Sequence, residues 1–244
     1  MSLTVASLYA VTRPLDKKHN LSETCSILDE IFRKDKGNAD IGVGYEYLLG
    51  GMPAGNRSID KMTKNLSGLL KNSYNHDKWY YPQLKNYFKK IVDKQTTLNE
   101  QNINSVLKPI FDTMSTFGGS GDTKYFFFSN PFKEENNEIY NTLLYITSKG
   151  DWDILYKKED IVESEKHFIS SATPEENNNI PFLKIKNTKI AGCICKDREN
   201  GIIERNIKNY ADVTVDPNLS DPFTANSFYF MNRYFINQPL ANFS

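Results

Sequence analysis

Cys25 is the residue whose type and position could do the most chemistry. It follows Leu21-Ser22, a pair suited to opening a helix, and a thiol in that first turn would lie against the positive end of the helix dipole. Such a site favours the thiolate over the thiol and so raises the nucleophilic fraction. A base is then needed from elsewhere in the chain. His167 can fill that part, with Asp197 or Asp212 orienting its ring. The arrangement is that of papain-like thiol hydrolases acting on an amide bond. Against it, Glu23, Asp29 and Glu30 oppose a thiolate, and Ile27 and Leu28 mark a face that would bury Cys25 as a core residue.

Four further groupings carry partial chemistry. Gly50-Gly51-Met52-Pro53-Ala54-Gly55-Asn56-Arg57-Ser58 resembles an anion-binding loop ahead of a helix, but Asn56 stands where a phosphate-binding lysine is required. Cys193 and Cys195, read as alternate residues of one strand, offer two thiolates to a metal; further ligands would have to come from His19, His76 or His167, which are scattered. Asp112 with Asp122-Thr123-Lys124 echoes a nuclease metal site, although the periodicity at Asp112 is helical. Trp79-Tyr80-Tyr81-Pro82 with Lys85, Lys89, Lys90 and Lys94 interleaves rings and charges as single-strand nucleic-acid platforms do, and an amphipathic helix explains the same residues. No cofactor or metal site is expected from these fragments.

The elements that would hold such residues divide near Gly118–Gly121. Before it, apolar spacing predicts a helix opening at Ser22, one from Ser58 to about Lys71, one starting at Pro82, and one across Ile103–Met114 with a kink or a late start at Pro109. Residues 38–57 read as a glycine-spaced loop with a short strand or helical turn. After the joint, Tyr125–Phe128, Ile139–Thr147 and Asp153–Tyr156 read as strands. A meander follows over Phe182–Lys186, Lys189–Lys196 and Ile202–Ile207, with Asn200-Gly201 as a type I′ turn. The expected class is α+β: a mainly helical subdomain over 1–117 packed with a mainly antiparallel β subdomain over 122–244, as one composite domain.

Composition narrows function by exclusion. Lys and Arg number 30 against 30 Asp and Glu, which removes the whole-molecule attraction to nucleic acid or anionic membrane. Residues 1–120 hold 16 basic against 12 acidic side chains, leaving 14 against 18, a mild split. Three cysteines give no disulfide framework, and no apolar run is long enough for a membrane span. The sequence therefore favours a soluble, cytoplasmic protein, or part of an intracellularly assembled particle. Its favoured role is non-enzymatic: a subunit that contacts other protein subunits or itself, with Phe228, Tyr229, Tyr234 and Phe235 as interface anchors. The alternative is the thiol hydrolase or amidase built on Cys25 and His167. A nucleic-acid-binding protein is the third reading.

Overall fold

A computed structural model describes residues 3–8, 13, 15–33, 38–51, 76–93, 96–118, 121–163, 165–217 and 232–236. Its first sheet has five strands in the order β1 (Val5–Ser7), β2 (Ile41–Val43), β3 (Tyr125–Lys133), β4 (Ile139–Thr147), β5 (Trp152–Lys157). β1 pairs parallel with β2, and β2 parallel with β3; β3, β4 and β5 are antiparallel neighbours. The second sheet runs β6 (Leu183–Ile185), β7 (Thr188–Gly192), β8 (Val213–Pro217), β9 (Asn232–Ile236), with a parallel β7–β8 pair between two antiparallel ones.

Strand alternation sends neighbouring side chains of β3 to opposite faces, and both faces are buried. Phe127 joins Ile41, Val43 and Leu143 against Ile190, Val213 and Val215 of the second sheet, so the sheets stack face to face. Phe126 and Phe128, stacked at 5.2 Å between centroids, point the other way. There they meet Leu28 and Phe32 of α1 (Lys17–Phe32), and Ile103 of α3 (Ile103–Val106) with Ile110 and Met114 of α4 (Lys108–Ser115). A helical layer thus covers one face of the first sheet and the second sheet covers the other. Each fully buried side chain of this kind contributes about 1.5–3 kcal/mol over an exposed one.

β7 approaches the first sheet closely at Gly192. A Cβ there would lie 2.4 Å from Leu143 Cδ2 and 2.8 Å from Tyr156 Cβ, so only glycine permits this spacing.

The expected helical first half packed on an antiparallel second half is corrected by this arrangement. The first half supplies β1 and β2, which pair parallel with β3 and make the sheet mixed. Three-residue strands are too short to show a period, which hid them in the sequence. Other differences are local. α1 begins five residues before Ser22, at a cap formed by Asp16, whose side chain accepts from His19 N at 3.1 Å. α2 (His76–Asp93) runs through Pro82 instead of starting there. The interruption near Pro109 falls at Leu107, between α3 and α4, and Pro109 occupies the first turn of α4.

Ile202–Lys208 is a helix, α6, and not a strand. Ile202 and Asn206, four apart, are buried, while Glu204 is exposed, so the burial is helical. Asn200-Gly201 makes no hairpin: Gly201, at φ 76°, ends a 3₁₀ turn over Cys195–Asn200. The helix expected over Ser58–Lys71 lies outside the described residues. A short helix, α5 (Pro174–Asn178), stands in the polar connection after β5, closed by a capping box between Thr173 and Glu176. Among the described residues, no helix is long and apolar enough to cross a membrane.

Candidate functional site

β2 and β5 run in the same direction, so both end at one edge of the first sheet, and β7 of the stacked sheet ends beside them. Past these three strand ends stand Glu46, Lys158 and Cys195.

Glu46 is placed by a continuation of β2 along β3. Gly44 N donates to Phe127 O at 2.6 Å, Ser129 N to Tyr45 O at 3.0 Å, and Leu48 N to Ser129 O at 3.0 Å. The Glu46 carboxylate is 2 % exposed and accepts at Oε1 from Asn141 Nδ2 of β4 at 2.8 Å and from Lys158 Nζ at 2.8 Å. Lys158, the residue after β5, is tied to the same strand by its N–H to Asn141 O at 2.9 Å.

The Lys158 ammonium, equally buried, also donates to Glu165 Oε1 at 3.2 Å and Oε2 at 3.1 Å. Glu165 in turn accepts from the Tyr47 hydroxyl and from Val162 N, the latter at 2.8 Å. One buried cation therefore sits between two buried carboxylates. Burial disfavours its charge, yet Glu46, Cys195 and Asp197 together outweigh this, and the Lys158 pKa is raised.

Cys195 opens the 3₁₀ turn after Ile194, which is extended at φ −132°, and adopts φ 51° itself. A side chain in the left-handed region carries strain that the surroundings must hold in place. Asp216 of β8 does so: its Oδ1 accepts from Cys195 N at 2.7 Å. The sulfur faces Glu46 and Lys158. Burial raises the thiol pKa well above its ordinary value, Glu46 adds to this, Lys158 opposes it, and Asp216 adds again. The resting group is a thiol that hydrogen-bonds to Glu46.

This is an unactivated nucleophile with a carboxylate to take its proton and a fixed ammonium beside both. Such a set can add sulfur to an electrophilic carbon and stabilise the negative charge that develops. Glu46, Asn141, Lys158, Glu165 and Asp216 were not singled out from the sequence. The signal that could have found two of them is positional: Glu46 and Lys158, like Cys195, each follow an apolar strand-like run where the chain turns polar.

The catalytic pair chosen from sequence falls elsewhere. Cys25 is in the middle of α1, away from its first turn, partly buried against the helix-side core. Burial raises its pKa, Thr113 lowers it and Asp112 raises it. His167 lies in the connection after β5, edge-on to Phe168 at 6.2 Å, and Phe168 packs in a separate cluster with Tyr47, Phe88 and Ile169. Asp212 accepts from Lys189 N at 2.7 Å at the start of β7.

Cys193 and Cys195 are not alternate residues of one strand: Cys193 is buried between the sheets, and at Cys195, φ 51°, the chain enters a 3₁₀ turn. Asp112 pairs with Lys108 at 2.7 Å on the surface of α4, and Lys124 lies 3.8 Å from Asp40. Gly50 and Gly51 are described, but Asn56 is not. On α2, Tyr87, Phe88 and Ile91 are buried and Lys89 and Lys90 exposed, as an amphipathic helix requires. Tyr234 and Phe235 belong to β9, opposite Val215 and Thr214, and Phe228 and Tyr229 lie outside the described residues.

No family model matches the chain. No curated protein matches it either. Solved structures do. An amidase from Nesterenkonia sp. AN1 in complex with butyramide aligns with TM-score 0.61 at 14 % identity, over 90 % of this chain and 67 % of that one. A further structure of an amidase from Nesterenkonia sp. gives 0.59 at 14 %, over 90 % and 66 %. A carbon–nitrogen hydrolase from Helicobacter pylori G27 gives 0.52 at 14 %, over 88 % and 59 %. The chain spans about two thirds of the length of the amidases and less of the third. At this identity the likeness is one of fold: the fold is that of carbon–nitrogen hydrolases. The expectation of a non-enzymatic assembly subunit is corrected here, since these neighbours are enzymes, and in one of them the acetamide moiety of fluoroacetamide is attached at an active-site cysteine.

Proposed function

We propose that the protein is a thiol hydrolase of carbon–nitrogen bonds, an amidase in the broad sense, with Cys195 as nucleophile, Glu46 as general base and Lys158 as the electrostatic stabiliser. The observation that carries this reading is the buried contact of Glu46 with Lys158 at 2.8 Å beside a cysteine at φ 51°. The amide-cleaving class expected as the alternative from the sequence is kept, and its residues change from Cys25 and His167 to this set.

The chemistry follows from the protonation states. Cys195 rests as a thiol, so attack on an amide carbonyl carbon requires its proton to pass to Glu46 as the sulfur–carbon bond forms. The carbonyl oxygen becomes anionic beside the Lys158 ammonium, which stays charged because two carboxylates hold it so. Cys195 N–H is committed to Asp216, so the lysine is the group of this site left to meet that charge. As the intermediate collapses, the carbon–nitrogen bond breaks and the leaving nitrogen takes the proton from Glu46. Water then adds to the thioester, Glu46 removing one proton, and the carboxylic acid leaves while sulfur regains its hydrogen. Amide and water become acid and amine.

Fluoroacetamide tests this reading. The sulfur–carbon bond forms as fluoride leaves, and peptide mapping by mass spectrometry should locate the adduct on Cys195. Cys195→Ala should take up no reagent at that peptide, while Cys25→Ala should react as the native protein does. An adduct confined to Cys25, or none at Cys195, would remove the proposal.

A further inference from the structure

Two residues past the nucleophile, Asp197 is completely buried, and its carboxylate points back at the chain that leaves Lys158. Oδ1 accepts from Asp160 N at 2.6 Å and Oδ2 from Glu159 N at 3.2 Å. Its own N–H donates to Ile194 O at 3.1 Å, so the carboxylate is rigidly part of the 3₁₀ turn that carries Cys195. The two amides it holds are the first two after the lysine. A single side chain thereby joins the nucleophile's turn to the lysine's turn.

We propose that Asp197 is a positioning residue for the hydrolysis, setting the distance between the Cys195 sulfur and the Lys158 ammonium by binding both backbone amides that follow Lys158. The inference rests on the hydrolase reading above and adds a residue to it. The requirement for two acceptor oxygens explains an otherwise costly buried acid. A serine or asparagine offers one acceptor, and the amide nitrogen of asparagine would face an N–H donor. Other ties between the two turns are peripheral: Arg205 pairs with Glu159, and Asn200 Nδ2 donates to Asp160 Oδ2 at 2.6 Å. They hold side chains, and Asp197 holds the main chain beside Lys158.

Burial pushes the Asp197 carboxyl up to about 6, against the lowering effect of its two N–H donors and of Lys158. The charged and titratable groups facing it are Tyr156 of β5, Lys158, Glu159 and Asp160 of the turn, and Arg205 of α6. Above that pH both oxygens accept; below it one carries a proton that confronts an amide N–H.

The experiment compares fluoroacetamide labelling of Cys195 in the native protein, Asp197→Asn and Arg205→Ala, with amide exchange of Glu159, Asp160 and Cys195 followed in the same samples. Asp197→Asn should label roughly tenfold or more slowly, on the scale expected when reacting groups are misplaced by a fraction of an ångström to 1 Å. Arg205→Ala, which loosens the same turn without touching its main-chain bonds, should stay within about threefold of the native protein. Should Asp197→Asn not fold, the native protein still answers: protection of the Glu159 and Asp160 amides should fall below pH 6 while that of Cys195, held by Asp216, does not. Native labelling with Asp197→Asn equally fast, or Arg205→Ala equally slow, overturns the positioning role and leaves the hydrolase standing. No native labelling at Cys195 overturns the hydrolase and the role with it.

Discussion

Asn141 Nδ2 lies 2.8 Å from Glu46 Oε1, the same oxygen that Lys158 Nζ reaches at 2.8 Å. Two donors, one from β4 and one from the residue after β5, converge on one atom and fix the rotation of the carboxylate that is to receive the thiol proton. Asn141→Leu should therefore slow turnover or labelling by about tenfold and cost about 1–3 kcal/mol of stability, because a buried acceptor loses a partner. Urea unfolding monitored beside the labelling rate separates the two effects. A stability loss with an unchanged rate would show that Lys158 alone orients Glu46.

Lys158→Met leaves two buried carboxylates without their cation. The expected loss is about 3–5 kcal/mol, the range for breaking a buried ion pair from one side. Adding Glu165→Gln to that variant should restore part of it, since one of the two stranded charges disappears. Denaturant midpoints of the single and double variants decide this, and a double variant weaker than the single would contradict the charge argument.

The Cys195 thiol pKa is raised, chiefly by burial and then by Glu46. Iodoacetamide alkylation of Cys195 in the folded protein should thus keep accelerating up to pH 9, with no plateau near neutrality. A cysteine paired with an imidazolium would plateau well below pH 7. Residue-resolved mass spectrometry across pH 6–9 distinguishes the two shapes, and a plateau near neutrality would contradict the proton transfer to Glu46.

Cys195→Gly and Cys195→Ala both delete the sulfur but differ at φ 51°. Glycine occupies that region without the steric cost an alanine meets there, so the alanine variant should be less stable by about 1 kcal/mol. Thermal unfolding of the pair tests whether the strain at the nucleophile is real.

Asp197 gives a stability trend opposite to the usual one for carboxylates. Its folded pKa is raised to about 6, above the unfolded value of about 3.9, so the native state binds more protons between these values. Its contribution is fully present below pH 4 and is lost as pH rises through 6. Asp197→Asn should flatten this part of the stability curve. An unchanged slope between pH 4 and 6 in that variant would assign the trend to other groups.

Only part of the scaffold was legible in the sequence, and the fold class was not. Tyr125–Phe128 and Ile139–Thr147 announced themselves through aromatic and β-branched runs, and the interruption near Pro109 followed from a proline in a helical period. The site was not legible, for a physical reason. Glu46, Lys158 and Cys195 are 112 and 37 residues apart in sequence and meet only because three strands end together. No local pattern encodes a meeting of that kind. The Cys193-Ile194-Cys195 run misled because period-2 reading assumes a strand continues, whereas the chain turns at Cys195 once Asp216 captures its amide. Cys25 drew the eye because a helix start was placed at Ser22; with the cap at Asp16, the dipole argument for its thiolate no longer applies.

The parallel pairing of β2 with β3 has a consequence for how the molecule comes into being. β2 cannot pair with β3 until the chain has passed Tyr125, and the Asp216 carboxylate that accepts from Cys195 N lies 21 residues further along the chain. Non-local pairing of this sort slows acquisition of structure, since long loops must close before their contacts repay the lost entropy. A nascent chain that has passed Cys195 but not yet reached Asp216 therefore carries the thiol without the carboxylate that holds its backbone amide.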